Sequence, residues 1–159
     1  MYLQKDIIIG KWIKRRGIFW RKFWVATDAS EYSRQALKFA LELARKFHSE
    51  IELLFVMYKP LVYDASLLDG QVIPPFQTEH SGELAIQATL QGIDISDVTV
   101  NKKIVHGKPA NMILQEIENE NIDLVVMGSH GYGAIAGAIL GSVSQSVLHG
   151  AKCSVLIAK

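Results

Sequence analysis

Residues 124–144 read LVVMGSHGYGAIAGAILGSVS, a short apolar run that passes directly into clustered glycines and then into a helical-looking segment. Leu124 to Met127 is apolar and β-branched enough for a strand buried on both faces, which requires covering layers above and below it. Gly128, Gly131, Gly133 and Gly137 interrupt any regular pattern, and Gly141-Ser142 opens the segment running to His149. Glycine permits close backbone approach, and the unpaired N–H groups and dipole of a helix start favour an anion. A phosphate satisfies that description; glycines alone equally satisfy a pair of tight turns in a βαβ unit.

The rest of the chain alternates in the same way. Phe23 to Thr27 reads as a first strand ending at Asp28-Ala29-Ser30, and Ser30 is placed to cap a helix with Glu31 in its first turn. Ala36, Leu37, Ala40, Leu41 and Ala44 recur at helical spacing to about Phe47, and Ile51 to Met57 is a second apolar strand broken only by Glu52. Lys59 to His80 carries Pro60, Gly70, Pro74 and Pro75 without a period and reads as a long loop, either a binding element or disordered. A helix over Glu79–Gln91 ending at Gly92 follows, then a strand over Val98–Val105 and a turn at His106-Gly107-Lys108-Pro109. Pro109 opens a helix to about Asn119, and strand 122–127, the glycine loop, helix 142–149 and strand Cys153–Ala158 complete the chain. This order predicts a single-domain open parallel five-stranded α/β sheet with helices on both faces, strand order 3-2-1-4-5, and ligands beyond the carboxyl ends of the strands.

The 159 residues, 49% hydrophobic and 21% charged, suit one core-bearing domain. Net charge is +1, but seven basic residues against Asp6 alone give residues 1–22 a net +6 and leave the remainder at −5. The division is therefore a basic and aromatic N-terminal extension, 1–22, and a domain, 23–159. The extension reads as an extra strand or appended segment, with contact to an anionic membrane surface as the second reading. It has no signal-peptide pattern, no span-length apolar run and no nucleic-acid-reading motif, so neither export nor nucleic-acid binding is expected. Cys153 is the single cysteine, which excludes an internal disulfide and suits a cytoplasmic protein.

Two strand ends carry the residues suited to a ligand, Thr27-Asp28 and Gly128 onward, and strand order 3-2-1-4-5 makes them neighbours at the switch point. Asp28 suits hydrogen bonds from a base or sugar, or a role as a helix-capping carboxylate; Gly128, Gly131, Gly141 and Ser142 suit phosphates. Catalytic patterns fail the comparison. Gly137-AIL-Gly141-Ser142 has neither the spacing nor the lysine of a P-loop, and the first strand ends without a dinucleotide fingerprint. His48, His80, His106, His130 and His149 have no evident catalytic partner or metal-ligand spacing. No lysine or arginine lies within 128–144, so the charge stabilisation on which fast phosphoryl transfer depends is missing.

Gly128-Ser129-His130-Gly131, nine residues, then Gly141-Ser142 resembles the G-x2-G-x9-G-[ST] motif of the ATP-binding universal stress proteins. VATDASEYSRQALKFALELA, VHGKPANMI and CSVLIAK resemble further parts of the same family, over residues 23–159. The resemblance implies a nucleotide-binding α-hydrolase-like fold, ATP with Mg²⁺, a stress-response regulator with at most slow hydrolysis, and a homodimer formed through strand 153–158. The alternative is a non-enzymatic interaction protein that holds AMP or another adenosine compound, or nothing. By position, the resemblance sets Ala26, Thr27 and Asp28 against adenine and ribose, with Val56 bordering the base. Met127 and Gly128 form the floor, Gly131, Gly141, Ser142 and Val143 hold ribose and phosphates, and Gly107 contributes to the wall. Tyr132 departs from the basic side chain that many relatives carry.

Overall fold

The computed structural model describes residues 7–10, 21–58, 80–120, 122–133 and 139–159. Most of the extension 1–22, the expected loop 59–80 apart from His80, and Gly137 lie outside the described residues. The elements in order are β1 (Ile7–Gly10), β2 (Lys22–Thr27), α1 (Glu31–Phe47), β3 (Glu50–Met57), α2 (Ser81–Leu90), β4 (Val100–His106), α3 (Pro109–Glu120), β5 (Leu124–Gly128), α4 (Ser142–Gly150) and β6 (Ser154–Ala158).

The sheet order is β1-β6-β5-β2-β3-β4. From β2 onward this is the expected parallel arrangement, 3-2-1-4-5, with β2 and β5 side by side at its centre. The two faces follow from the two-residue period of the strands. Phe23, Val25, Leu53, Phe55 and Leu156 pack with Leu37, Ala40 and Leu41 of α1 and Ala85 and Ile86 of α2. Trp24, Leu54, Val125, Met127, Val155 and Ile157 pack on the other face with Ile113 and Ile117 of α3 and Val147 of α4.

Local signals explain the helix ends. The Ser30 hydroxyl accepts from the Ser33 N–H at 3.3 Å and caps α1. His48 ends that helix in the left-handed region, φ 54°, and its N–H donates to the Ala44 carbonyl. The Arg34 guanidinium donates to the carbonyls of Ala88, Thr89 and Gln91, so α1 supplies the cap that α2 lacks in its own last turn. Trp24, bulky for a central strand, is fully buried on the α3 face. Its indole N–H donates to Glu52, its strand neighbour, at 2.6 Å, and the Lys103 ammonium lies 5.4 Å from the ring centroid.

One expectation requires correction. The sequence leaves strand 153–158 as an open edge, but β6 is paired on that side. β1 runs antiparallel to it, matching Ile7 with Ala158, Ile8 with Ile157, Ile9 with Leu156 and Gly10 with Val155. A strand from the extension thus satisfies the backbone groups that an edge would present to another chain.

Candidate functional site

Because β2 crosses over to β3 on one side and β5 lies on the other, the loops leaving β2 and β5 part at their carboxyl ends and leave a crevice. It holds a cavity of about 400 Å³. Its wall is mostly apolar, with Ala26, Leu54, Val56, Ile113 and Met127 contributing from the α3 side of the sheet. Such a wall suits a flat base. The opposite end is the start of α4, where Ser142, Val143 and Ser144 line the cavity. The first bond into that helix is from the Gln145 N–H to the Gly141 carbonyl, at 2.9 Å. The N–H groups of the three preceding residues therefore have no intrahelical acceptor and stand where an anion would be stabilised.

The glycine loop is held in place from within the chain. The Ser129 N–H donates to the Ala158 carbonyl and the Gly141 N–H to the Ser129 carbonyl, each at 2.7 Å, and the buried Ser144 hydroxyl donates to the Gly128 carbonyl at 2.8 Å. A side chain on Gly128 would meet the backbone of Tyr32 at 2.7 Å, and one on Gly131 would meet the Asp28 carboxylate at 2.1 Å. Both glycines admit parts of the protein itself: the first turn of α1 and a carboxylate.

Asp28 joins the two loops. One oxygen accepts from the Ser30 N–H at 3.0 Å and the other from the Tyr132 N–H at 3.1 Å. The capping role weighed for Asp28 belongs to Ser30; Asp28 closes a local turn and grips the glycine loop. Tyr132 answers from the other side, its hydroxyl donating to the Ala29 carbonyl at 3.1 Å. Ala29 is in the left-handed region, φ 66°, with its N–H on the Thr27 hydroxyl at 3.0 Å.

Of the residues assigned to the site from sequence, Ala26, Thr27, Asp28, Val56, Met127, Gly128, Gly131, Gly141, Ser142 and Val143 all line the cavity. Thr27 does so without its hydroxyl, which is engaged with Ser33 at 3.0 Å and Thr89 at 2.7 Å beneath α1. Gly107 is the exception and does not line the cavity. With φ at 144°, its N–H donates to the Met57 carbonyl at 3.0 Å and the Met112 side chain packs against it. Pro109 reaches the cavity from that turn instead. Leu54, Ile113, Ser144, Tyr58, His130 and Tyr132 complete much of the lining. Of these, Leu54 was legible, since the strand period puts it on the same face as Val56. The His130 ring lies 5.4 Å from that of Tyr32, and its Nδ1 is 3.1 Å from the Ser129 hydroxyl.

No lysine or arginine is among the described lining residues. No group of three or more metal-ligating side chains occurs among the described residues. Asp28 is the one carboxylate in the described lining, and both of its oxygens already accept N–H groups. These side chains do not form a Mg²⁺ cage, so a magnesium ion would have to arrive on the phosphates of its nucleotide. No described helix is long and apolar enough to cross a membrane.

The model of the universal stress protein family matches residues 20–159. A universal stress protein of Methanocaldococcus jannaschii is 28% identical over 98% of this chain and 91% of its own length. One from Bacillus subtilis is 30% identical over 87% and 98%, respectively. Among solved structures, a universal stress protein from Lactobacillus plantarum superimposes with a TM-score of 0.66 at 20% identity, covering 90% of this chain and all of that one. A universal stress protein in complex with cAMP gives 0.61 at 22%, covering 89% and 98%, and one from Archaeoglobus fulgidus in complex with dAMP gives 0.59 at 15%, covering 89% and 100%.

Proposed function

This chain belongs to the universal stress protein family, and from that membership we propose that it binds an adenine nucleotide, ATP foremost, between β2 and β5 and acts as a nucleotide-responsive stress regulator. The observation that carries the reading is the pairing of an apolar wall with the open first turn of α4 across one 400 Å³ cavity. Leu54, Val56 and Met127 take the base, and the backbone of Ser142 and Val143, with the Ser142 hydroxyl, takes phosphate. Binding is favoured over turnover. No cation among the described lining residues meets a developing charge, and the Asp28 carboxylate is occupied with backbone N–H groups, so hydrolysis is slow at most. Mg²⁺ enters with the triphosphate, and the protein works in the cytoplasm.

A second reading, AMP or another adenosine compound as the resident ligand, is favoured by the same lack of lysine and arginine. The cAMP and dAMP complexes of two structural neighbours agree with it. Self-association as a homodimer is assigned to strand 153–158, an edge that β1 occupies in the single chain.

The variant Ser142→Pro tests the phosphate end without disturbing the fold. Ser142 is the first helical residue, where proline is tolerated, and Gly141 already has the extended backbone that must precede it, φ −69° and ψ 157°. The change removes one N–H and one hydroxyl, which lowers affinity about 10- to 100-fold for a loss of about 1.5–3 kcal/mol. Calorimetry with ATP and Mg²⁺, alongside mass spectrometry of the ligand carried through purification, reads both outcomes. The folded protein failing to bind any adenine nucleotide would sink the proposal, and unchanged affinity in Ser142→Pro would remove α4 from it.

A further inference from the structure

The strand period that turns Leu54 and Val56 to the α3 face reaches next to Tyr58, the residue just after β3, and Tyr58 lines the same cavity. Its backbone is held there, because the Gly107 N–H donates to the carbonyl of Met57, the preceding residue, at 3.0 Å. Gly107 is absent from the lining but shapes it: the turn it makes at φ 144°, backed by Met112, brings Pro109 to the cavity beside the end of β3. Two rings, those of Tyr58 and Pro109, thus extend the wall of Leu54 and Val56 outward. Tyr58 is 43% exposed, so much of an aromatic side chain is left uncovered on a main chain that is fixed. Its place relative to the phosphate end follows from the sheet order. α4 begins after the loop that leaves β5, and β3 lies two strands from β5, about 10 Å across the sheet. A nucleotide with its phosphate on α4 therefore points the far edge of its base towards β3. From the glycosidic nitrogen a purine extends by two fused rings and a pyrimidine by one, so the purine is the base that reaches past Val56 to the outer rings.

We propose that Tyr58, with Pro109 beside it, forms an outer subsite for the six-membered ring of a purine, and that this subsite makes the cavity prefer purine over pyrimidine nucleotides. This rests on the cavity being a nucleotide site with the phosphate at α4. Contact between a base and an aromatic side chain changes affinity about 5- to 150-fold. Tyrosine suits the task because it offers a large rigid face while only two side-chain torsions have to be ordered. The contact is with the face of the ring, so the phenol hydroxyl is not required, and the choice between adenine and guanine is left to hydrogen-bonding groups.

The test is titration of the intact chain, by calorimetry and by competition, with ATP and UTP in the presence of Mg²⁺ and with AMP and UMP. Within each pair the phosphates are the same, so the affinity ratio reports the base alone. Tyr58→Ala is expected to weaken the purine nucleotide about 5- to 150-fold and the pyrimidine nucleotide less than about twofold, so the ratio falls by nearly the whole factor. Tyr58→Phe keeps the wild-type affinities. Equal losses for purine and pyrimidine, or a phenylalanine variant as weak as the alanine one, overturn the subsite. Undiminished purine binding by Tyr58→Ala overturns it as well and leaves the nucleotide site standing. A folded wild type that binds none of these nucleotides removes the site itself, and the subsite with it. Tyr58 follows β3 rather than lying within it, so both variants are expected to keep the fold, which circular dichroism and the melting temperature check.

Discussion

Replacing Asp28 by alanine removes two hydrogen bonds, one from the Ser30 N–H that closes the β2–α1 turn and one from the Tyr132 N–H that joins this turn to the glycine loop. Hydrogen bonds to a charged group contribute about 1.5–3 kcal/mol each when buried, but the Tyr132 bond is exposed and the Ser30 bond only partly buried, so about 2 kcal/mol in all is the expected loss. For a chain of this length that is a fall in melting temperature of roughly 4–8 °C. Gly131→Ala attacks the same contact from the other side. Its new methyl would lie 2.1 Å from the Asp28 carboxylate, which must be pushed off its partners, again at about 2 kcal/mol or more. In the Asp28→Ala background the obstructing oxygen is gone, and the glycine substitution becomes nearly neutral. Urea denaturation of the four proteins should then give a coupling of about 2 kcal/mol, the double variant being little worse than either single one. Additivity within about 0.5 kcal/mol would refute the lock. A carboxylate reserved for ligand alone would leave the stability of Asp28→Ala unchanged, which is equally fatal.

Two further outcomes concern the frame. Hydrogen bonds from Lys103 and Lys22 hold the Glu120 carboxyl below its usual range, so its contribution is complete above that range and is lost as pH falls through it. Glu120→Gln should cost about 1 kcal/mol at neutral pH, with the gap to wild type closing below about pH 4, as read by chemical denaturation. His48→Gly should raise stability by about 0.5 kcal/mol in the same assay, because the exposed His48 ends α1 in a left-handed conformation that glycine adopts at less cost.

The sheet order was legible because each strand and helix declares itself through local periodicity, and right-handed crossovers leave few ways to connect them. Trp24 resisted, since one strand residue says nothing of its partner; pairing with Glu52 and with Lys103 decided its face. The glycines were legible as a loop but ambiguous in purpose, because sequence cannot show what approaches a missing side chain. At Gly128 it is Tyr32, and at Gly131 it is Asp28. That alters how the motif is to be tested: a bulky residue at Gly128 disturbs α1 before it obstructs any ligand.

Alternating apolar periods, capping residues and the spacing from Gly128 to Ser142 are local properties, and they were enough for the sheet, its helices and the crevice at its centre. The side to which Asp28 gives its oxygens, the withdrawal of Gly107 from the cavity and the strand that covers β6 are long-range properties. Asp28 and Tyr132 lie 104 positions apart, Gly107 and Met57 50, and Ile7 and Ala158 151, so these pairings exist only once the chain has closed on itself.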